Sequence, residues 1–357
     1  MNETPTHGGN EHMEMMAYIK ETREPGFTKV RKRVPEELSV GEVLIKVLAT
    51  SICGTDVHIY KWDQWSQKRI KPPLTVGHEL AGRVVKVASD VTKVKIGDIV
   101  SAETHIVCHK CEFCQRGEYH LCENTKILGV DVDGCFAEYV KVPAENLIVN
   151  NTKTDPRYLS IQEPLGNAVH TMMHFPVTGK TVAILGCGPI GLMGVNIAKA
   201  LDAKKIIAIE VNEYRRDFAK RVGADVVINP MTEDVVARVM EETGNEGVDV
   251  VGEFSGNKTA IESAFKYVKR GGKLSLLGLG DNKIEIDFSN DIVFKGISIY
   301  GVVGRLMFKT WEQISELIAS GKLELDKIVT HVYRLDQMEE AMATMLSGNC
   351  GKVVLVP

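Results

Sequence analysis

The segment Gly186-Cys187-Gly188-Pro189-Ile190-Gly191 restricts the architecture of this chain more than any other. A bare G-x-G-x-x-G is common, and its meaning comes from what flanks it. Here the compact apolar run KTVAILG leads in and the helical pattern LMGVNIAKAL follows. A second apolar run, KIIAIE, then ends in Glu210. The first glycine permits a tight turn, and the second lets a pyrophosphate approach the backbone at a helix N-terminus. The third lets helix and strand pack closely. Glu210 stands about 20 residues on, where a carboxylate meets adenosine ribose hydroxyls. Arg215, just past it on the following helix, can stack on adenine or favour a 2′-phosphate.

The alternation continues. ADVVINP, VDVVGEFS, GKLSLLGL and ISIYGVV read as further buried strands, with helical stretches at 213–222, 233–243 and 257–269. Short apolar runs separated mostly by helices predict an α/β, doubly wound parallel sheet. The first 160 or so residues differ. GEVLIKVLAT, ELAGRVVKVA, GDIVSAE and FAEYVKV are strand-like, with Gly, Pro and Asp between them, so a mostly β domain is expected there. The last stretch gives two amphipathic helices, KTWEQISELIASGK and LDQMEEAMATMLSG, and a short strand, GKVVLVP.

Cys108, Cys111, Cys114 and Cys122 carry a different message. The spacing C-x2-C-x2-C-x7-C puts four thiols in tight turns, which favours one shared metal over pairwise bridges. It lacks the C-x3-C-P ending of a ferredoxin-type cluster, so a closed tetrahedral zinc site is the reading. Such a site has no open position, and the metal is structural. A second set lies upstream: Cys53 in SICGTDVH, and His78-Glu79 in VGHE. One thiolate, one imidazole and one or two carboxylates suit a zinc that keeps a position for substrate. Glu163, in QEPLGN, is a further oxygen donor or a supporting group.

Composition narrows the functional classes. At 357 residues, with 44% hydrophobic and 25% charged residues, the chain can build two cores. A net charge of −4 gives no reason to expect nucleic acid or an anionic membrane as partner. No apolar run reads as a membrane span or cleavable signal peptide. Five cysteines fall to metal, and Cys135, Cys187 and Cys350 read as buried thiols, which suits a reducing cytoplasm. Residues 1–14 are polar and read as a disordered leader.

Taken together, Cys53-Gly54-Thr55-Asp56 with His58, Gly77-His78-Glu79, the cysteine lobe and the glycine loop resemble the zinc-dependent medium-chain alcohol dehydrogenases. The resemblance covers about residues 15–357. HIYKWDQWSQ, ETHIVC, HLCENTKILGVDVDGCFAEY, QEPLGNAVHT and GRLMFKTW look like the branch that acts on L-threonine. His109 and Cys187 depart from that pattern, at slots where the family often has Gly and Ala. The resemblance implies a GroES-like catalytic domain at 15–164 and 310–357, and a Rossmann NAD-binding domain at 165–309. It implies an active site in the cleft, a homotetramer, and two zinc ions per chain, one catalytic and one structural. Cys53, His78, Glu79 and Glu163 would surround the catalytic zinc, with either carboxylate as the direct ligand. Thr55 and His58 would relay a proton, and His105 would line the substrate pocket. The implied reaction oxidises the L-threonine β-hydroxyl to 2-amino-3-oxobutanoate, with hydride passed to NAD. A polyol, sugar or 2,3-butanediol substrate is the nearest alternative. A zinc-free quinone or enoyl reductase and a non-enzymatic nucleotide binder are more distant ones.

Overall fold

The computed structural model describes residues 13–280 and 283–357. Most of the expected leader therefore lies outside the described residues. Its last residue, Glu14, already opens a strand, Glu14–Lys20, paired antiparallel with Thr28–Arg33.

Two sheets organise the chain. The first runs in the order Leu147–Val149, Ile99–Ala102, Glu79–Val87, Glu42–Ser51, Lys352–Val356, Val329–Arg334, with Tyr139–Pro143 also on Glu42–Ser51. Its central strand, EVLIKVLATS, is β-branched and apolar and is covered on both faces. The chain's last strand returns to this sheet, with Val354 opposite Ser51 and Leu355 opposite Thr50. On the other side of the central strand, Ser51 pairs with Glu79. That register sets a carboxylate beside the point where the central strand ends, two residues before Cys53.

The second sheet has six parallel strands in the order Val226–Ile228, Lys205–Ile209, Thr181–Leu185, Val248–Glu253, Val268–Leu276, Ser298–Gly301. The order reverses at Thr181–Leu185, so a crevice opens beyond its C-terminal end, where such sheets take ligands. Three of the connecting helices start with the same device. Asn212, Asp234 and Asn257 each accept a hydrogen bond from the backbone N–H three residues on, at 3.0 Å. Before the last strand the connection carries a π-helical turn, Phe288–Val293, where a regular helix would otherwise stand.

Helix Gln162–Met173 joins the sheets. Its Leu165, Ala168, Val169 and Met172 pack in one cluster with Ala49 and Val354 of the first sheet and Val182 and Ile184 of the second. Each large apolar side chain buried there contributes about 1.5–3 kcal/mol relative to exposure, so the two sheets share one packed core across this helix. Among the described residues, no helix is long and apolar enough to cross a membrane.

Candidate functional site

The four lobe cysteines converge, with their sulfurs all within 4.8 Å of one another. Cys111 stands before the one-turn helix Glu112–Gln115. The Cys122 and Cys108 sulfurs are 3.5 Å apart, and the Cys108 N–H donates to Cys122 Sγ at 3.3 Å. Backbone N–H groups of Lys110 and Cys111 lower the Cys108 thiol to about 6, whereas burial lifts Cys114 to about 12. Backbone N–H groups of Cys114 and Glu123 lower the Cys111 thiol too, and four soft donors, two of them eased toward the thiolate, fit a thiolate-loving cation. His109 has φ 54°, which explains why this slot suits glycine, and its ring pairs with Glu145 at 3.0 Å.

Cys53, His78 and Glu79 form the second cluster, again within 4.8 Å. Cys53 caps helix Gly54–Lys61, and Asp56 Oδ2 accepts the Cys53 N–H at 2.8 Å. The other Asp56 oxygen lies 3.6 Å from His78 Nδ1. Burial pushes the Asp56 carboxyl up to about 6. Burial alone would lower the His78 ring, but Asp56 and Cys53 beside it raise it well above its ordinary range. Glu79 is fully buried. One of its oxygens is held by the Ser51 hydroxyl and the Lys352 ammonium, which also donates to Ile52 O at 2.7 Å. The other Glu79 oxygen, and His78 Nδ1, are buried without a partner. An unpartnered nitrogen and an unpartnered oxygen beside a thiol, in a site rich in negative charge, fit a bound zinc ion.

Glu163 is not brought into that group. Its Oε1 takes Arg305 Nη1 at 2.5 Å and the Thr104 hydroxyl at 3.2 Å. The guanidinium holds it as an ion-paired neighbour whose charge still acts on His78. Arg305 is the main residue that sequence reasoning missed. It is 1% exposed and grips Glu103 in a fork, Nε to Oε2 at 2.7 Å and Nη2 to Oε1 at 2.5 Å, with Asn167 Oδ1 at 3.1 Å. Trp311 Nε1 and the His105 N–H complete the Glu103 shell at 2.8 and 3.0 Å. Gly166 makes room for it, because a Cβ there would lie 2.5 Å from Arg305 Cδ. ETHIVC and GRLMFKTW stood out as segments, but nothing local shows that Glu103 and Arg305 meet. His105, expected on the pocket wall, is half-buried against this network, its Nδ1 2.5 Å from Arg305 Nη2.

Thr55 Oγ1 lies 3.8 Å from Cys53 Sγ, at the cluster's edge. His58 is one turn further along the same helix, exposed, with Nδ1 2.5 Å from Asp63 Oδ2. Trp62 is buried and Trp65 exposed.

Beyond the parallel strands lies a cavity of about 680 Å³ lined by Gly186, Gly188, Glu210, Arg215, Met231 and Ser255 among others. Gly186 has φ 81°, and a Cβ on it would meet Ser255 Cβ at 2.7 Å. A Cβ on Gly191 would lie 1.9 Å from Gly186 O, so strand and helix close on each other there. Gly188, by contrast, faces open space, followed by Pro189 and Ile190 in the first turn of helix Pro189–Ala200. Glu210 turns inward. Its oxygens accept the Cys187 N–H at 2.6 Å and the Asn212 N–H at 2.9 Å. This open backbone cradle fits a dinucleotide pyrophosphate.

Comparison with known proteins agrees with this geometry. Residues 39–151 match the alcohol dehydrogenase GroES-like domain, and 189–320 match the zinc-binding dehydrogenase domain. The chain is 52% identical over 344 residues to L-threonine 3-dehydrogenase of Caldanaerobacter subterraneus, covering 96% of this chain and 99% of that one. It is also 52% identical to L-threonine 3-dehydrogenase of Pyrococcus furiosus, covering 96% and 98%. Among solved structures, 2R,3R-butanediol dehydrogenase from Bacillus subtilis superposes with a TM-score of 0.87 at 29% identity, covering 96% and 99%.

Proposed function

The chain belongs to the zinc-binding, GroES-like alcohol dehydrogenase family, and from that premise we propose that it oxidises the β-hydroxyl of L-threonine to 2-amino-3-oxobutanoate with NAD as acceptor. The observation that carries this reading is the 52% identity, over nearly the whole of both chains, to proteins named for that reaction. The butanediol enzyme shares the fold at 29% identity and supports the alternative less.

Cys53, His78 and Glu79 would hold the catalytic zinc, with Glu163 kept beside them by Arg305, and the four lobe cysteines would hold a second, structural one. When bound, zinc supplies Lewis-acid activation of the hydroxyl and NAD supplies the hydride acceptor. The chain's own part is proton handling and orientation. Thr55 Oγ1, at the cluster's edge, accepts the proton leaving the substrate hydroxyl and passes its own onward. His58, exposed on the same helix face and tied to Asp63, delivers it to solvent. Glu210 and the glycine loop would seat the adenosine and pyrophosphate, with Arg215 near the adenine. NAD is preferred over NADP, because the Glu210 carboxylate repels a 2′-phosphate.

A homotetramer in a reducing cytoplasm completes the proposal. The outer strand Ser298–Gly301 ends the parallel sheet with Ile299 exposed, and Phe288, Phe294 and Val303 stand exposed nearby, which supports association through that edge. The deciding experiment is a panel of L-threonine, its diastereomers, serine, sorbitol and 2,3-butanediol with NAD and NADP, followed as reduced cofactor. L-Threonine with NAD should give the highest kcat/KM. Turnover of a polyol with none of threonine would replace the substrate, and equal kcat/KM with both cofactors would remove Glu210 from its role.

A further inference from the structure

We propose that Glu253, buried beneath the crevice of the parallel sheet, is a positioning residue for the dinucleotide, an inference that rests on reading the 680 Å³ cavity as the cofactor site. Glu253 ends strand Val248–Glu253 and is 0% exposed. No Lys, Arg or His among the described residues pairs with it. Donors from two chain segments meet its carboxylate instead. Oε1 accepts the Ser255 N–H and hydroxyl, both at 2.6 Å, and the Gly256 N–H at 2.8 Å. Oε2 accepts the Gly278 N–H at 3.2 Å.

A buried carboxylate without a cation is expensive, and here only the hydrogen bonds from these donors offset that cost. Its effect is to fasten together the turn that leaves one strand and the turn that leaves the next. The fit leaves no slack. A Cβ on Gly278 would lie 2.2 Å from Gly256 N, and one on Gly280 would lie 2.1 Å from Gly256 O. The tie continues toward the cofactor, because Ser255, held on its N–H and hydroxyl, is the residue that Gly186 of the glycine loop packs against. Ser255, Gly186 and Phe254 all line the cavity. Glu253 thus fixes the cavity wall from behind without facing the ligand, in the way supporting groups hold a binding constellation. It sits apart from the Cys53, His78 and Glu79 cluster, so cofactor binding and not substrate binding should respond.

Removing the carboxylate orphans the Ser255 and Gly256 N–H groups and leaves the Gly278 N–H only its longer bond to the Glu253 carbonyl oxygen, at 3.3 Å. Gln keeps an acceptor for the Ser255 and Gly256 side but turns an amide donor toward the Gly278 N–H, so its defect is intermediate. The test uses the full-length holoenzyme and its Glu253→Gln, Glu253→Ala and Ser255→Ala variants. NADH affinity is read by nicotinamide fluorescence, with KM for NAD, KM for L-threonine and melting temperature alongside. The expected result is an NADH Kd raised at least tenfold by Glu253→Ala and severalfold by Glu253→Gln. KM for NAD rises in parallel, while KM for L-threonine stays within twofold. Ser255→Ala, which keeps the fold if Glu253→Ala does not, shows a smaller rise. A lowered melting temperature with unchanged NADH Kd in Glu253→Gln and Ser255→Ala makes Glu253 a purely structural group and overturns the proposal. Failure of the unmodified enzyme to bind NADH overturns the cofactor reading instead.

Discussion

The lobe and the cleft each gather metal-binding side chains within 4.8 Å, but by opposite routes. In the lobe, four sulfurs arrive from residues 108–122, carried by turns and two single-turn helices, and Cys108 and Cys111 remain partly exposed. In the cleft, Cys53 arrives past the end of one strand, and His78 and Glu79 lead into its neighbour. They meet only because Ser51 pairs with Glu79. The cleft is also wrapped in buried charge from Asp56, Lys352, Glu163 and Arg305, which the lobe lacks. A local cluster can close around a metal without the rest of the molecule. A cluster built on sheet register depends on the whole domain, and it can leave one coordination position for chemistry.

Exchanging one ligand in each cluster should separate these roles most sharply. Cys53→Ser is expected to remove one zinc per chain and about a thousandfold of kcat, with the melting temperature little changed, and His78→Ala to lose the same zinc and activity with some stability besides, because the buried Asp56 carboxyl loses its neighbour. Cys111→Ser is expected to do the reverse. It should lower the melting temperature and the yield of assembled protein, while the surviving protein keeps the cleft zinc and most of its turnover. Zinc content by atomic emission, measured beside kcat, distinguishes the two. A Cys111→Ser protein as heat-stable as the parent, and with full zinc content, would erase the contrast.

The same contrast governs how far the sequence could be read. The lobe was legible because its information is spacing, and spacing survives without coordinates. The second sheet was legible because strands of parallel sheets are continuous apolar runs, and the turn glycines sit where a missing Cβ is needed, as Gly186 and Gly191 show. The cleft was legible only as separate residue types. Glu163 read as a possible ligand because it is an acid in the right segment, but its partner Arg305 lies far along the chain in a loop without periodicity. Nothing in the segment ETHIVC shows that its Glu103 is 0% exposed. Buried ion pairs between distant segments leave no periodic trace, since each partner is an ordinary charged residue until the fold brings them together.

Arg305 provides the next test, because the cleft's dependence on distant charge pairs is its main difference from the lobe. Arg305→Ala leaves Glu103 and Glu163 without their cation, and breaking such a pair typically costs about 3–5 kcal/mol. Acid unfolding should reveal the change in sign. In the parent, burial pushes the Glu103 carboxyl up, but the charge and hydrogen bonds of Arg305 more than reverse this and hold it well below the carboxylate range. Its folded value is thus depressed. The stability it contributes is fully present above the unfolded value of about 4.3, and is lost as pH falls through the folded value. In Arg305→Ala, burial acts without that counterweight and lifts the carboxyl, so the contribution reverses and stability falls as pH rises through the carboxylate range. Denaturant midpoints between pH 3 and 7 measure both slopes. Parallel pH dependences in parent and variant would show that Glu103 does not titrate through Arg305.

The smallest effect should come from Thr55, which belongs to the cleft without being one of its donors. Its hydroxyl is 3.8 Å from Cys53 Sγ, and Cys53, His78 and Glu79 already supply the clustered ligand atoms, so Thr55→Ala should leave zinc content and NADH affinity unchanged. What it removes is a group that can accept one proton while giving up another. Loss of a positioned proton-transfer group costs about a hundredfold at the lower end of the usual range. That loss should appear in kcat and kcat/KM together, with KM for L-threonine little altered. Thr55→Ser restores the hydroxyl and should recover most of the rate, since the methyl takes no part in proton transfer. If Ser rescues nothing, packing by the methyl group is what Thr55 supplies, and the proton must leave by another path. If Ala loses zinc along with activity, Thr55 supports the metal cluster, and the line drawn here between holding the metal and moving the proton disappears.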